Sequence, residues 1–250
     1  MGGQPPDILV PRMPEMNHRT GRRIGHKGAD HIAPGNTTAS FDAALAHGCD
    51  MLEFDVLPER PDGSGRLVLA HDFKVARERD PLTLEQGLDH LCSPAFDGIE
   101  LDVDLKAVGY EERVVAALRE RGLEERTLIS TMEVASLPVL RAASDRIRIG
   151  WSVPKSRHDY LANPATMVFA KAAITVLRRT VPRQIAHAIR AGEIHAAMSH
   201  WSLVTPFFVR QVRAVGGELY VWTVDDAARI RAFEAMGVTG IITNDPRLFD

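Results

Sequence analysis

Four apolar runs of this chain end in groups that hold protons or cations. Gly25-His26-Lys27-Gly28 closes the first. Glu53-Phe54-Asp55 lies in the second, Met51 to Leu57. His71-Asp72 follows the third, Arg66 to Ala70. Asp102-Val103-Asp104-Leu105-Lys106 ends the fourth. Charged side chains are rarely fully buried unless paired or metal-bound, so four such endings point to one site. Residues two apart on a strand face the same side. Glu53 with Asp55, and Asp102 with Asp104, can each aim two carboxylates at one place. Such a donor set suits one hard divalent cation, Mg2+ or Ca2+. Asp102 competes with Asp104 for the ligand role, since the two share a face. Histidines, whose ordinary pKa lies near neutrality, suit proton transfer beside it.

Strand-like and helix-like stretches alternate along the chain, as in a parallel α/β protein. Strand patterns cover 23–25, 51–57, 66–70, 99–105, 127–130, 147–153, 194–198, 218–224 and 240–243. Many are continuously apolar, as strands covered on both faces should be. Helix patterns cover 37–47, 84–91, 111–121, 134–143, 183–190, 206–215 and 226–236. Asn36 is the expected N-cap of the first, with Gly48 as its stop. The link from Pro58 to Gly65 is too short for a helical crossover and carries the turn pair Asp62-Gly63. A β-hairpin folded about 61–65 therefore absorbs the ninth strand and brings His71 opposite Asp55. Eight strands then form a (β/α)8 TIM barrel, for which 250 residues is a typical length. Barrel sites form at the C-terminal strand ends, where His26, Glu53, Asp55, Asp104 and Lys106 fall. His200-Trp201 follows another such end.

The formal net charge is -3, which argues against a protein that coats nucleic acid. No run approaches the roughly 18 apolar residues of a membrane span. Residues 1–22 are rich in Pro, Gly and Arg and lack a secretory apolar block. They read as a flexible leader before one domain, 23–250, in a cytoplasmic protein. Cys49 and Cys92 make neither a metal spacing nor a disulfide framework and read as reduced, mostly buried thiols. The segment 152–181 is long for a βα connection. It reads either as a capping helix with a buried face or as a lid or partner surface.

The ordered motifs resemble the glycerophosphodiester phosphodiesterase family, within the phospholipase-C-like phosphodiesterase barrel superfamily. The resemblance rests on His26-Lys27-Gly28, Gly35-Asn36-Thr37, Ala39-Ser40-Phe41, Glu53-Phe54-Asp55-Val56, Asp62-Gly63, His71-Asp72 and Asp104-Leu105-Lys106. It continues in Val221-Trp222-Thr223-Val224 and in the run from Gly240 to Pro246. It implies a metal-dependent enzyme that releases glycerol 3-phosphate and an alcohol. By resemblance, His26 and His71 are the acid/base pair, and Glu53, Asp55 and Asp104 hold the metal. Lys27 and Lys106 face the phosphate, and Trp222 is a substrate wall, with barrel core as its competing role. The attacking hydroxyl in the family is the substrate's own, through a cyclic phosphate.

Several positions depart from the family pattern. Lys27 replaces an arginine, turning a bidentate fork into a point charge. Gly35 replaces a glutamate, and an Arg–Glu pair would lose both members together. Asp104 replaces a glutamate in many members. The family's insertion after His-Asp is reduced here, since His71-Asp72 reaches Pro81-Leu82-Thr83-Leu84-Glu85 almost directly. The short link fits a lysophospholipase D or sphingomyelinase D-like enzyme acting on a lysolipid as an alternative. A second alternative, supported by Lys27 and Gly35 alone, is a barrel that binds a phosphoryl ligand without turnover.

Overall fold

The computed structural model describes residues 21–155 and 164–250, the side chains of 164–172 excepted. The chain runs β1 (Arg22–Gly25), α1 (Thr38–Ala46), β2 (Met51–Pro58), β3 (Leu67–Val68), α2 (Phe73–Glu78), α3 (Leu84–Leu91), β4 (Glu100–Leu105), α4 (Glu111–Glu120) and β5 (Thr127–Thr131). It continues with α5 (Ser136–Ala143), β6 (Arg148–Val153), α6 (Pro164–Arg190), β7 (Ala196–His200), α7 (Pro206–Arg213), β8 (Glu218–Trp222), α8 (Ala227–Met236) and β9 (Gly240–Thr243). Parallel pairing proceeds β1-β2-β4-β5-β6-β7-β8-β9 and returns to β1, which closes an eight-stranded barrel. β3 lies outside that circuit. It pairs antiparallel with β2, Leu57 with Val68 and Pro58 with Leu67, so the ninth strand is the expected hairpin.

Outward strand residues pack under helices whose apolar faces follow the helical period. In α3, Leu84, Leu88 and Leu91 are buried one turn apart, and each such burial contributes about 1.5–3 kcal/mol. Inward residues form layers. At the N-terminal end, Arg22 pairs with Glu100 at 2.7 Å, and Arg148 pairs with Glu218 at 2.9 Å and touches Glu100. Above them Ile24, Met51, Leu128, Ala196, Met198, Tyr220 and Ile242 form a dry plug. The carboxylates lie above that plug, so the barrel is a packed core with a polar mouth.

Several expectations shift in detail. The cap of α1 is Thr37, which makes a reciprocal capping box with Ser40; Asn36 is turned to other work. The hairpin register sets Leu57 against Val68, so His71 falls one step beyond the position opposite Asp55. It is delivered instead at the start of α2, a helix the sequence pattern did not suggest. Asp72 caps it, accepting from the Lys74 and Val75 N–H groups at 2.9 Å. Phe73, Val75 and Ala76 pack on Leu57, Val68 and Ala70. This short rim helix fills the link between Asp72 and Pro81.

The helix expected from Arg183 begins at Pro164 and continues through Pro182. Proline removes one backbone hydrogen bond, but Val181 and Ile185 on either side are buried, and their packing holds the helix across it. The cap-or-lid reading of 152–181 falls largely on 156–163 and on the side chains of 164–172, outside the described residues. The expected leader, 1–22, also lies outside them apart from Gly21 and Arg22, and Arg22 already belongs to β1. Cys49 is buried, whereas Cys92 is exposed because it follows the last turn of α3 at the surface. No helix among the described residues is long and apolar enough to cross a membrane.

Candidate active site

Parallel register places Glu53 beside Asp102 and, one layer higher, Asp55 beside Asp104. Glu53, Asp55 and Asp104 each offer one oxygen within 4.8 Å of the others. Lys106, just beyond β4, brings its ammonium 2.5 Å from Asp55 Oδ1 and into contact with Asp104. Its side chain is largely sheltered rather than a solvated rim charge.

The electrostatics follow from burying several like charges around one cation. Burial pushes Asp55 upward, but Lys106, with His71 and His26 behind it, outweighs burial and holds it well below the usual carboxylate range. Glu53 is raised well above that range by burial and then by Asp55. Asp104 is raised by burial against the pull of Lys106. For Lys106 burial opposes the charge, yet Asp104, Asp55 and Glu53 overcome it and raise the ammonium well above its ordinary value. Three carboxylates thus face one ammonium, and Asp104 Oδ1 is buried without a hydrogen-bond partner among the described residues. An all-oxygen, anion-excess group of this kind fits a hard divalent cation.

His26, at the end of β1, is held by residues from the opposite end of the chain. Its Nδ1 lies 2.5 Å from Asn244 Oδ1. The Asn244 amide nitrogen donates to Asp225 Oδ2 at 2.6 Å, and its backbone N–H donates to Asp225 Oδ1 at 2.8 Å. Asp225 therefore turns the amide oxygen toward the imidazole. His26 Nδ1 must carry the proton, leaving Nε2 bare and 3.8 Å from Glu53 Oε2. Burial, then the Lys27 charge, lowers the His26 pKa to about 4.

The β1–α1 loop folds over the carboxylates. Lys27 and Asn36 both take left-handed backbone, φ 50° and 61°. The Lys27 N–H donates to Glu53 Oε2 at 2.8 Å. Asn36 donates its amide N–H to Asp55 Oδ2 at 2.9 Å and accepts the Asp55 N–H at 3.0 Å. Gly28 permits the crossing, because a Cβ there would lie 2.6 Å from the Ser40 backbone. His71 is on the exposed rim, its Nδ1 3.5 Å from Asp72 Oδ2. Trp222 tops the interior plug, edge-on to His200 at 5.1 Å. Its buried Nε1 has no hydrogen-bond partner among the described residues.

His26, Glu53, Asp55, Asp104 and Lys106 therefore converge directly. Lys27 joins through its backbone and turns its ammonium to Asp30 at 3.4 Å. Asp102, the competing ligand, lies in the layer below and outside the three-carboxylate group. Sequence reasoning missed the work of Asn36, read as a helix cap, of Asn244, quoted only within a motif, and of Asp225 and Asp30. The signal available was the pair of asparagines inside otherwise apolar or glycine-rich motifs.

The family model described as the glycerophosphoryl diester phosphodiesterase family matches residues 26–81 and 95–248. The chain belongs to this family. All eight sequence-predicted site residues fall within the matched segments, and the family is one of phosphoric diester hydrolases. A glycerophosphodiester phosphodiesterase of Caldanaerobacter subterraneus is 25% identical over 89% of this chain and 93% of its own length. A glycerophosphodiester phosphodiesterase structure from Parabacteroides distasonis superposes with TM-score 0.69 at 18% identity, covering 92% of this chain and 94% of that one. The Oleispira antarctica phosphodiesterase OLEI02445, solved with the product sn-glycerol-3-phosphate, gives TM-score 0.62 at 18% identity over 90% of this chain and 94% of that one. The family members share the closed barrel.

Proposed function

We propose that the protein hydrolyses glycerophosphodiesters to glycerol 3-phosphate and an alcohol, with His26 and His71 exchanging protons and one divalent cation, Mg2+ or Ca2+, at Glu53, Asp55 and Asp104. One observation carries this reading: Glu53, Asp55 and Asp104 bring oxygens within 4.8 Å of one another, with the Lys106 ammonium 2.5 Å from Asp55 and His26 Nε2 3.8 Å from Glu53. Such a cation supplies positive charge against the nonbridging oxygens of the phosphate. Lys106 adds a fixed positive charge beside it, and Lys27 a second one at the loop. His26 Nε2 takes the proton of the attacking hydroxyl as the new P–O bond forms. His71 gives a proton to the alcohol oxygen as the old P–O bond breaks, which leaves a cyclic phosphate when the attacking hydroxyl is the substrate's own; water then opens that ring, and the proton His26 took returns to the ring oxygen, giving glycerol 3-phosphate. Trp222 bounds the mouth with its indole ring, above the interior plug. Family membership and the product bound in the Oleispira antarctica relative support glycerol 3-phosphate as the released half.

The test is turnover of glycerophosphocholine, glycerophosphoethanolamine and a lysophospholipid, with Mg2+, Ca2+ or EDTA. Release of glycerol 3-phosphate that EDTA abolishes is the expected result. Turnover of the lysolipid alone assigns the lysophospholipase D-like chemistry that the short rim around α2 also fits. Cation binding without any turnover assigns a non-catalytic barrel.

Asn36 is the support on which the metal ligand Asp55 depends. Asn36→Ala is expected to weaken Mg2+ or Ca2+ binding by about 10- to 100-fold, as loss of a group bonded to a ligand does. Calorimetric titration of the folded variant checks this; unchanged affinity would remove Asn36 from the site.

A further inference from the structure

We propose that Asp30 is a positioning residue: it fills the space left by the missing side chain at Gly35 and holds the Lys27 ammonium for the substrate phosphate. The proposal rests on the reading above that Lys27 meets that phosphate.

Gly35 is where the family pattern has a glutamate and this chain has no side chain. Its backbone does not demand glycine, since it is absent from the positive-φ positions. Space demands it. A Cβ at Gly35 would lie 2.6 Å from Asp30 Oδ1, 2.8 Å from Asp30 Cγ and 2.8 Å from Lys27 Cβ. Asp30 Oδ1 accepts the Gly35 N–H at 2.8 Å, and its other oxygen lies 3.4 Å from Lys27 Nζ. The carboxylate missing from position 35 is thus supplied from position 30, in a place only a glycine at 35 allows.

The Lys27 backbone is already fixed. Its N–H is bound to Glu53, and its carbonyl accepts from the Asn36 N–H at 3.0 Å and the Ser40 hydroxyl at 2.8 Å. What remains free is a long, flexible side chain, and Asp30 is the acid that orders it. A guanidinium takes a carboxylate in a bidentate fork, whereas an ammonium is a point charge that one oxygen suffices to hold. Lys27, Asp30 and Gly35 therefore form one packed unit. The Lys27 charge also reaches the imidazole of His26, which places the unit beside the reacting groups.

A double-mutant cycle on glycerophosphocholine turnover tests this. Asp30→Asn keeps the size of the side chain and an oxygen for the Gly35 N–H, and removes only the charge that holds Lys27. It is expected to raise KM about threefold, with kcat changed less than about twofold, as befits a partly exposed pair. Lys27→Ala is expected to raise KM further, and in that background Asp30→Asn should have no effect of its own. Gly35→Ala should raise KM at least as much as Asp30→Asn, because its methyl group would crowd both the Asp30 carboxylate and Lys27 Cβ. If Lys27→Ala leaves KM unchanged, Lys27 does not bind the phosphate, and the underlying reading fails. If Lys27→Ala raises KM while Asp30→Asn does not, or if Asp30→Asn acts equally in both backgrounds, the positioning role of Asp30 fails. Thermal melts of each variant separate these outcomes from misfolding.

Discussion

Replacing His26 by alanine is expected to lower kcat/KM for a glycerophosphodiester by about 100- to 10,000-fold, the usual contribution of a positioned general acid or base. The barrel should remain folded, because His26 stands above the dry plug rather than within it. The size of the effect follows from the network around the imidazole. Asp225 fixes the Asn244 amide, and Asn244 fixes the imidazole with its proton on Nδ1. Burial and Lys27 then hold the ring neutral to about pH 4, so Nε2 can accept a proton throughout the neutral range. Asp225→Ala should reproduce part of the loss, because the amide is then free to flip and present a donor to the ring. The measurement is kcat/KM for both variants beside a thermal melt. A folded His26→Ala protein within tenfold of the wild type would end the role assigned to this histidine.

Replacing Asp102 by asparagine is expected to stabilise the protein in EDTA by on the order of a few kcal/mol at pH 8. Asp102 is 1% exposed, and the Ser130 hydroxyl, Lys106 and Arg148 offset only part of the cost of burying its charge. Burial, then Asp104, raises its pKa from the ordinary 3.8 to about 8. The folded state therefore binds more protons than the unfolded state between those values. Stability from this group is present at low pH and is lost as pH rises from about 4 through about 8. An amide cannot ionise, so the gain should be largest above pH 8 and vanish near pH 4. Denaturant unfolding of both proteins at pH 4, 6 and 8 checks it; a difference independent of pH would show that Asp102 is not a strained buried acid. The same carboxylate lies one layer beneath Glu53, Asp55 and Asp104.

The site was legible wherever short-range rules governed it. Glu53 and Asp55 could be read as one pair of carboxylates aimed at the same place because residues two apart on a strand share a face. The hairpin could be read because an Asp-Gly turn between two apolar runs leaves no room for a helix. Family motifs added the order of the histidines and the carboxylates. The same local logic misplaced other elements. Asn36 looked like a helix cap by type, but Thr37 caps α1 and Asn36 is spent on Asp55. The helix pattern over 183–190 missed the earlier turns of α6, because buried neighbours carry that helix through Pro182. α2 carries no buried residue, so it left no apolar stripe to find.

The sequence by itself determined the barrel, the hairpin of β2 and β3, and the types of group gathered at the strand ends. Alternating faces, strand length and turn chemistry are properties of a few neighbouring residues. Only the tertiary structure decided which groups hold those residues in place. His26 is oriented by Asn244, 218 positions away, and this contact exists because β1 pairs with β9 to close the barrel. Asp55 is clasped by Asn36 from another element, and the carboxylate absent at Gly35 comes from Asp30 through a fold of the loop. Each of these choices depends on where backbone and side chain meet once the barrel has closed. No local pattern of residue types encodes that meeting.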